Sequence, residues 1–303
     1  GRVYAVWEER LASGHLILYT SVYSDTTWSV PEMGFIGEEP DLTVSPDGTM
    51  HLVYANEQSG RYDIFYTHWG EDGCEAPYNL SDTSGTSSQP AITAKGDGSL
   101  VAVWTDTTEG VKRIYHAWQQ QGLWSTYLVT ASSGGSAPDV AFVGEGRVWV
   151  VWQGLNEDSG HYDLYAIYGD GRSWIKYAME ISGGSHADST NLQLAGVDDL
   201  GGFAVWQESA EEDSEIRYAD TVEYVDYWTT SQCVSPGASW AERPALTADT
   251  AGELHVTWEQ GDNLWHRQRG LPDEEWSPKA AISDGEAAVD EPVLVSGPGY
   301  ALH

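Results

Sequence analysis

Positive charge is scarce in this sequence. Its 303 residues carry 14 Lys and Arg against 47 Asp and Glu, a formal net charge of −33. A polyanionic partner needs a basic face, so nucleic-acid binding is excluded, and docking on anionic lipid is disfavoured for the same reason. Cysteine is almost absent. Cys74 and Cys233 cannot build a disulfide scaffold and are too few for a cysteine zinc site. Long apolar runs are missing too: no stretch approaches the ~18 residues that span a bilayer. The chain opens on strand-like sequence, Gly1-Arg2-Val3-Tyr4-Ala5-Val6-Trp7; if the native protein is secreted, its targeting segment is expected to be missing from this chain. Also missing are an EF-hand loop, a phosphate-cradling glycine motif, a nucleophile elbow and a zinc signature. What is plentiful is tryptophan, 15 residues, and glycine, 33. With 41% apolar residues the chain can bury a core. Large rings and many tight turns point to short strands.

A repeat organises those strands. Pro40-Asp41-Leu42-Thr43-Val44, Gly48 and His51-Leu52-Val53-Tyr54 are followed by Pro90-Ala91-Ile92-Thr93-Ala94, Gly98 and Val101-Ala102-Val103-Trp104. The same series returns from Pro138 to Trp152, from Asn191 to Trp206 and from Pro244 to Trp258. The aromatic ends of these units are Trp7, Tyr54, Trp104, Trp152, Trp206 and Trp258, spaced by about 50 residues, the period of a propeller blade. Each unit holds a first strand after the proline, a second ending in the aromatic residue and a third such as Ile64-Phe65-Tyr66. A fourth opens with Trp28, Pro77, Trp124, Trp174, Trp228 or Trp276 and closes near an apolar-Ser/Thr pair such as Leu80-Ser81 or Ile181-Ser182. Alternation is period two throughout, and helical spacing is absent.

The expectation is an all-β fold, a single six-bladed β-propeller of four-stranded blades. The blades are 292–303 plus 1–39, then 40–89, 90–137, 138–189, 190–243 and 244–291. The ring closes where Pro292-Val293-Leu294-Val295 pairs with Val3–Trp7, so that N- and C-terminal strands share one blade and no edge is left open. Tyr300–His303 compete with the N-terminal strand for one place, which suggests a piece of a longer polypeptide. Cys74 and Cys233 fall in the second and fifth repeats and are expected as free thiols. Tryptophans in the repeated slots are expected to pack blade on blade.

Gln89-Pro90-Ala91-Ile92 with Asp97-Gly98 and Val103-Trp104, and Glu242-Arg243-Pro244-Ala245-Leu246 with Gly252 and Trp258, resemble the sialidase-like propellers, the bacterial neuraminidase repeat group. The turns Ser21–Trp28, Asp170-Gly171-Arg172-Ser173-Trp174 and Pro272-Asp273-Glu274-Glu275-Trp276 look like worn Asp-boxes. In that group the Asp-box is a structural turn facing away from the active site. The resemblance implies a carboxylate-binding arginine triad, a Tyr–Glu nucleophile pair and an acid Asp. The Arg-Ile-Pro motif of the first arginine is missing here, and Arg243 precedes its proline directly, one residue out of phase.

Candidate contacts therefore come from the loops. Acidic residues follow the second strand repeatedly, among them Glu8, Glu57, Asp106, Glu208 and Glu259, and read as an acidic rim for a cationic partner or as solvated loop charge. Trp240, outside every repeated slot, sits in the long loop Ser235–Arg243 and suits stacking on a sugar face, with Arg243 as a polar contact. His186 and Asp188 occupy another long loop, but two ligands do not define a metal site. The sequence favours a non-catalytic glycan- or protein-binding propeller, extracellular or on a cell surface, without cofactor or membrane insertion, and monomeric or part of a longer chain. The alternative is a carbohydrate-active enzyme, a sialidase-like hydrolase or a polysaccharide lyase, that uses rim carboxylates.

Overall fold

The computed structural model describes residues 3–283 apart from 13–15, 25–26, 31, 71–72, 130–133, 176, 185–186, 198–199, 212, 222–226, 238–239, 249–251 and 272–273, together with 296–297 and 301–302. The chain divides into two compact units, Gly1–Val140 with Asp170–Trp174, and Ala141–Gly169 with Ile175–His303. The described strands form antiparallel meanders. Thr86–Ala94, Leu100–Thr108, Val111–Gln120 and Leu123–Leu128 make one four-stranded sheet in sequence order. Asp188–Val197, Gly201–Ala210, Asp213–Asp220 and Gln232–Cys233 repeat that order, as do Ala241–Ala248, Glu253–Gln260, Asn263–Gly270 and Ala280–Ala281. This is the all-β propeller class that the repeat predicts. The pairing of Pro292–Val295 with Val3–Trp7 falls on residues outside the described ones. Ser296–Gly297 pairs with Ala301–Leu302. Cys74 and Cys233 are free thiols.

The repeated residues explain how each sheet is held. The second strands are the most buried: Leu100 through Trp104 and Val148 through Val151 are fully enclosed. Sheets stack through these rows. Val53, Ile64 and Tyr66 pack on Ile92, Leu100 and Trp104 within the first unit, and Phe203, Ile216 and Tyr218 on Leu246, Val256 and Trp258 within the second. The apolar-Ser pair that ends each repeat closes the fourth strand onto the third. Leu80, Val129, Ile181, Val234 and Ile282 each donate a backbone N–H to the carbonyl of Ile64, Ile114, Leu164, Ile216 or Leu264 at 2.7–2.9 Å. The Oγ of Ser81, Ser182, Ser235 and Ser283 then accepts the N–H of Ile64, Leu164, Ile216 and Leu264 at 2.8–3.1 Å. Each such bond contributes about 0.5–1.5 kcal/mol and satisfies a strand amide that has no ladder partner.

Two expectations need correction. The first strand does not begin at its proline: Thr86–Ala94 starts four residues before Pro90 and carries a bulge there, with register shifts at Glu38/Asp41, Ser88/Ala91, Thr190/Gln193 and Glu242/Ala245. Proline has no N–H for a ladder, and a bulge leaves it unpaired. The residue in front, Glu39, Gln89, Ala137, Asn191 or Arg243, takes a left-handed φ of +46° to +54°. The fourth strand is broken in several sheets: Met179–Glu180, Gln232–Cys233 and Ala280–Ala281 are two residues long, Trp228 makes an isolated bridge with Thr221, and the first sheet splits it into Thr27–Trp28 and Glu32–Ile36, whereas Leu123–Leu128 runs unbroken. Its tryptophans pack instead as rings. Trp124 meets Tyr66 edge-on at 4.8 Å, Trp174 meets His116 at 5.0 Å, Trp228 meets Trp149 at 5.3 Å and Trp276 meets Tyr218 at 5.2 Å. Trp28 is half exposed.

Candidate functional site

The end of each sheet where the second strand turns into the third also receives the start of the first strand. The strained bulge residues lie there, and their N–H groups need acceptors. In the first unit, the Glu39 N–H donates to Glu8 Oε2 at 3.2 Å and the Gln89 N–H to Glu39 Oε2 at 2.6 Å. The Ala137 N–H follows, donating to Gln89 Oε1 at 3.0 Å. In the second unit the Arg243 N–H donates to Gln207 Oε1 at 3.2 Å, and Gln207 also accepts from Asn191 Nδ2 at 2.8 Å. A polar ladder thus links successive sheets within each unit.

Strand alternation sorts the acidic residues, because neighbouring positions face opposite sides of a sheet. Glu8 and Glu259 directly follow the aromatic residue. Glu8 caps Glu39, while Glu259 is buried and holds Arg243 Nη1 at 2.7 Å, the guanidinium being two-fifths exposed. Asp106 and Glu208 stand one position further. Asp106 is 1% exposed and accepts hydroxyls from Thr83 at 2.5 Å, Ser87 at 3.1 Å and Thr108 at 2.6 Å. It pins the loop entering its own sheet and offers no charge to solvent. Glu208 lies 3.9 Å from Arg217. Glu57 is exposed. Glu8, Glu57 and Asp106 belong to the first unit, and Glu208 and Glu259 to the second.

Asp188 opens a first strand. Its Oδ1 accepts the Tyr162 N–H at 2.8 Å and stands 3.5 Å from His161 Nδ1. His186 lies outside the described residues. His161 was not legible as the partner, because 27 positions and a sheet turn separate it from Asp188. No group of three or more metal-ligating side chains occurs among the described residues.

Trp240 is 53% exposed and has φ +59°, an unusual backbone for so large a residue. Its N–H is held by Asp213 Oδ1 at 3.2 Å. That bond fixes the left-handed turn while leaving the indole on the surface. Three residues on, the exposed edge of the Arg243–Glu259 pair supplies cationic donors. An exposed indole can stack on a pyranose ring, and a fixed guanidinium can donate to sugar hydroxyls.

No protein-family model matches the chain, and no curated protein matches it. Solved structures do. The polysaccharide lyase Uly1 aligns with a TM-score of 0.62 at 13% identity, over 98% of this chain and 83% of that one. The Hadza microbial sialidase Hz136 aligns at 0.57 and 12% identity, over 94% and 69%. An α-L-arabinanase from Penicillium chrysogenum aligns at 0.53 and 14%, over 92% and 93%. All are β-propellers. At such identities the likeness establishes the fold, and function has to be argued from the site. No helix among the described residues is long and apolar enough to cross a membrane.

Proposed function

We propose that this chain is a non-catalytic glycan-binding module, a six-bladed sialidase-like propeller that holds its ligand at the loop end around Trp240 and Arg243. One observation carries the reading: a half-exposed indole kept on a strained backbone by its own amide bond. Strain of that kind costs about 1–3 kcal/mol and gathers at functional positions. Three structural neighbours bear the names of carbohydrate-active enzymes, which agrees with a glycan ligand. Glu8 and Glu57 would steer a cationic partner, with association slowing as salt rises. An extracellular or surface location and action as a monomer or as one domain of a longer chain complete the proposal.

The enzymatic alternative, hydrolase or lyase, would need rim carboxylates placed for acid–base work. Asp106 and Glu259 are instead tied to hydroxyls and to a guanidinium. An array of glycans and polysaccharides, read for retention and for cleavage, tests both. Retention without cleavage, lost in Trp240→Ala at a nearly unchanged Tm, is the expected result. Turnover abolished by changing one rim carboxylate would replace the binding reading with the enzymatic one.

A further inference from the structure

The edge-on tryptophans create a slot between neighbouring sheets at the end opposite the loop site, and two of these slots can be compared within the first unit. In the first, Trp174 stands on His116 and the turn Asp170–Ser173 folds over Trp118. The Asp170 carboxylate accepts the N–H groups of Arg172 and Ser173, which curls the turn. This brings the Gly171 peptide against the Trp118 ring, and His116 Nε2 donates to the Gly171 carbonyl at 3.0 Å. Arg172 lies over the same indole. The protein fills this slot with one of its own amide groups.

In the second slot, Trp124 stands on Tyr66 in the same way. Tyr66 and His68 hold the strand positions that His116 and Trp118 hold in the first. Here the turn is a straight hairpin, Gln120 pairing with Leu123, and no amide folds over. A cavity of about 480 Å³ remains, lined by Tyr66, His68, Glu75, Tyr78, Gln119 and Trp124 among others. That size falls within the range of small-ligand sites.

The hydrogen-bond directions define what the cavity offers. Ser45 Oγ donates to Asp47 Oδ1 at 2.9 Å, so it accepts from His51 Nε2 at 2.7 Å. His51 Nδ1 then accepts the Tyr66 hydroxyl at 2.8 Å, and Gln119 lines the cavity with that ring. The Tyr66 proton is committed inward. Gln119 carries an N–H donor and a carbonyl acceptor, the two-point complement of another amide. Tyr78, 55% exposed, adds a ring face, and His68 with Glu75, 3.7 Å apart, add hydroxyl-binding groups.

We infer that this open slot is a second ligand site, separate from Trp240, and that it takes an N-acetylated hexosamine. The acetamido group occupies the place that the Gly171 peptide fills in the neighbouring slot, and the sugar ring lies on Tyr78. The surface is too acidic for an anionic sugar, and a free amino sugar would lack the amide that matches Gln119, which selects the neutral N-acetylated form. The inference does not depend on the loop-end site.

Indole N–H resonances of tryptophan-labelled protein, assigned with Trp124→Phe and Trp240→Phe, provide the test. N-acetylglucosamine at millimolar concentration is expected to shift the Trp124 signal and leave that of Trp240 in place, while glucose shifts neither. Gln119→Ala and Tyr78→Ala should each weaken the shift about tenfold, the loss of one good hydrogen bond or ring contact. Absence of a Trp124 shift, a shift confined to Trp240, or equal shifts with glucose would overturn the inference. So would a Trp124 shift with N-acetylglycinamide and none with the sugar, which would assign the slot to peptides.

Discussion

The two slots of the first unit share a sheet pairing, an edge-on tryptophan and a spacing. Ile114 to Trp124 and Leu164 to Trp174 are both ten positions. One is closed and the other open. The difference lies in four turn residues, Asp170–Ser173 against Gln120–Leu123. An aspartate that accepts three donors curls its turn onto the neighbouring sheet, whereas the Gln121-Gly122 pair, at φ +52° and +79°, makes a straight two-residue hairpin. In a repeat protein the shared residues set the scaffold, and turn chemistry decides which interfaces stay accessible.

Substituting Gly171 should separate the slots most strongly. Its φ is +84°, and a Cβ would lie 1.9 Å from the Trp118 ring. Gly171→Ala is expected to cost about 2–4 kcal/mol, a left-handed alanine plus overpacking, seen as a fall in Tm. Gln121→Gly at the matching turn should leave Tm unchanged or slightly raised, since glycine relieves its positive φ. Equal effects at both positions would erase the distinction.

Acid should come next in size. Burial pushes His116 of the closed slot, and His51 behind the open one, down to about 4. Both are neutral in the folded state, so their contribution is complete above pH 6.5 and is lost as pH falls towards 4. Asp41, on a first strand, opposes this trend. Burial and then the Asp139 carboxylate push it up to about 7, so its contribution is present below pH 4 and is lost as pH rises to 7. Asp41→Asn should raise Tm at pH 8 by about 2–4 °C, with no gain at pH 4. Asn retains the acceptor for the Ile92 N–H. A uniform gain at both pH values would contradict the assignment.

A smaller effect is expected from Asp170→Ala, which removes the acceptor that curls the closed turn. The loss should be about 1 kcal/mol at neutral pH. Its backbone bonds hold the Asp170 carboxyl below the ordinary value, so the difference from wild type should shrink as pH falls through that range. Trp240→Ala is expected to move Tm least, because the side chain is half exposed, and to remove glycan retention at the loop end.

Much of this scaffold was readable from the residues. The proline, the glycine and the Trp7-to-Trp258 series marked the strands, and the apolar-Ser pairs marked where each fourth strand closes. Gly48 and Gly98, the glycines that recur between the proline and the aromatic residue of their repeats, both take a left-handed φ, as turns between paired strands require. The bulges were hidden because a proline marks a break in pairing without saying on which side the strand begins. The opposite facing of Asp106 and of Glu8 and Glu259 was legible in principle, since Asp106 stands two positions after its tryptophan and the others one, but the burial of Asp106 and Glu259 was not, because it depends on the partners each finds. The open slot was not legible: Gln121 and Gly171 both adopt positive φ, and the curl of the closed turn depends on the donors that the Asp170 carboxylate gathers. His161 and Asp188 meet across a sheet turn that the repeat spacing leaves undefined.

Grafting one turn onto the other tests the central claim most directly. The variant Gln120→Asp, Gln121→Gly, Gly122→Arg, Leu123→Ser gives the open slot the residues of the closed one at unchanged length. The account predicts a folded protein in which the Trp124 indole no longer responds to N-acetylglucosamine, because the new turn covers the cavity. A folded variant that still binds the sugar as the wild type does would show that turn chemistry does not control access to the slot.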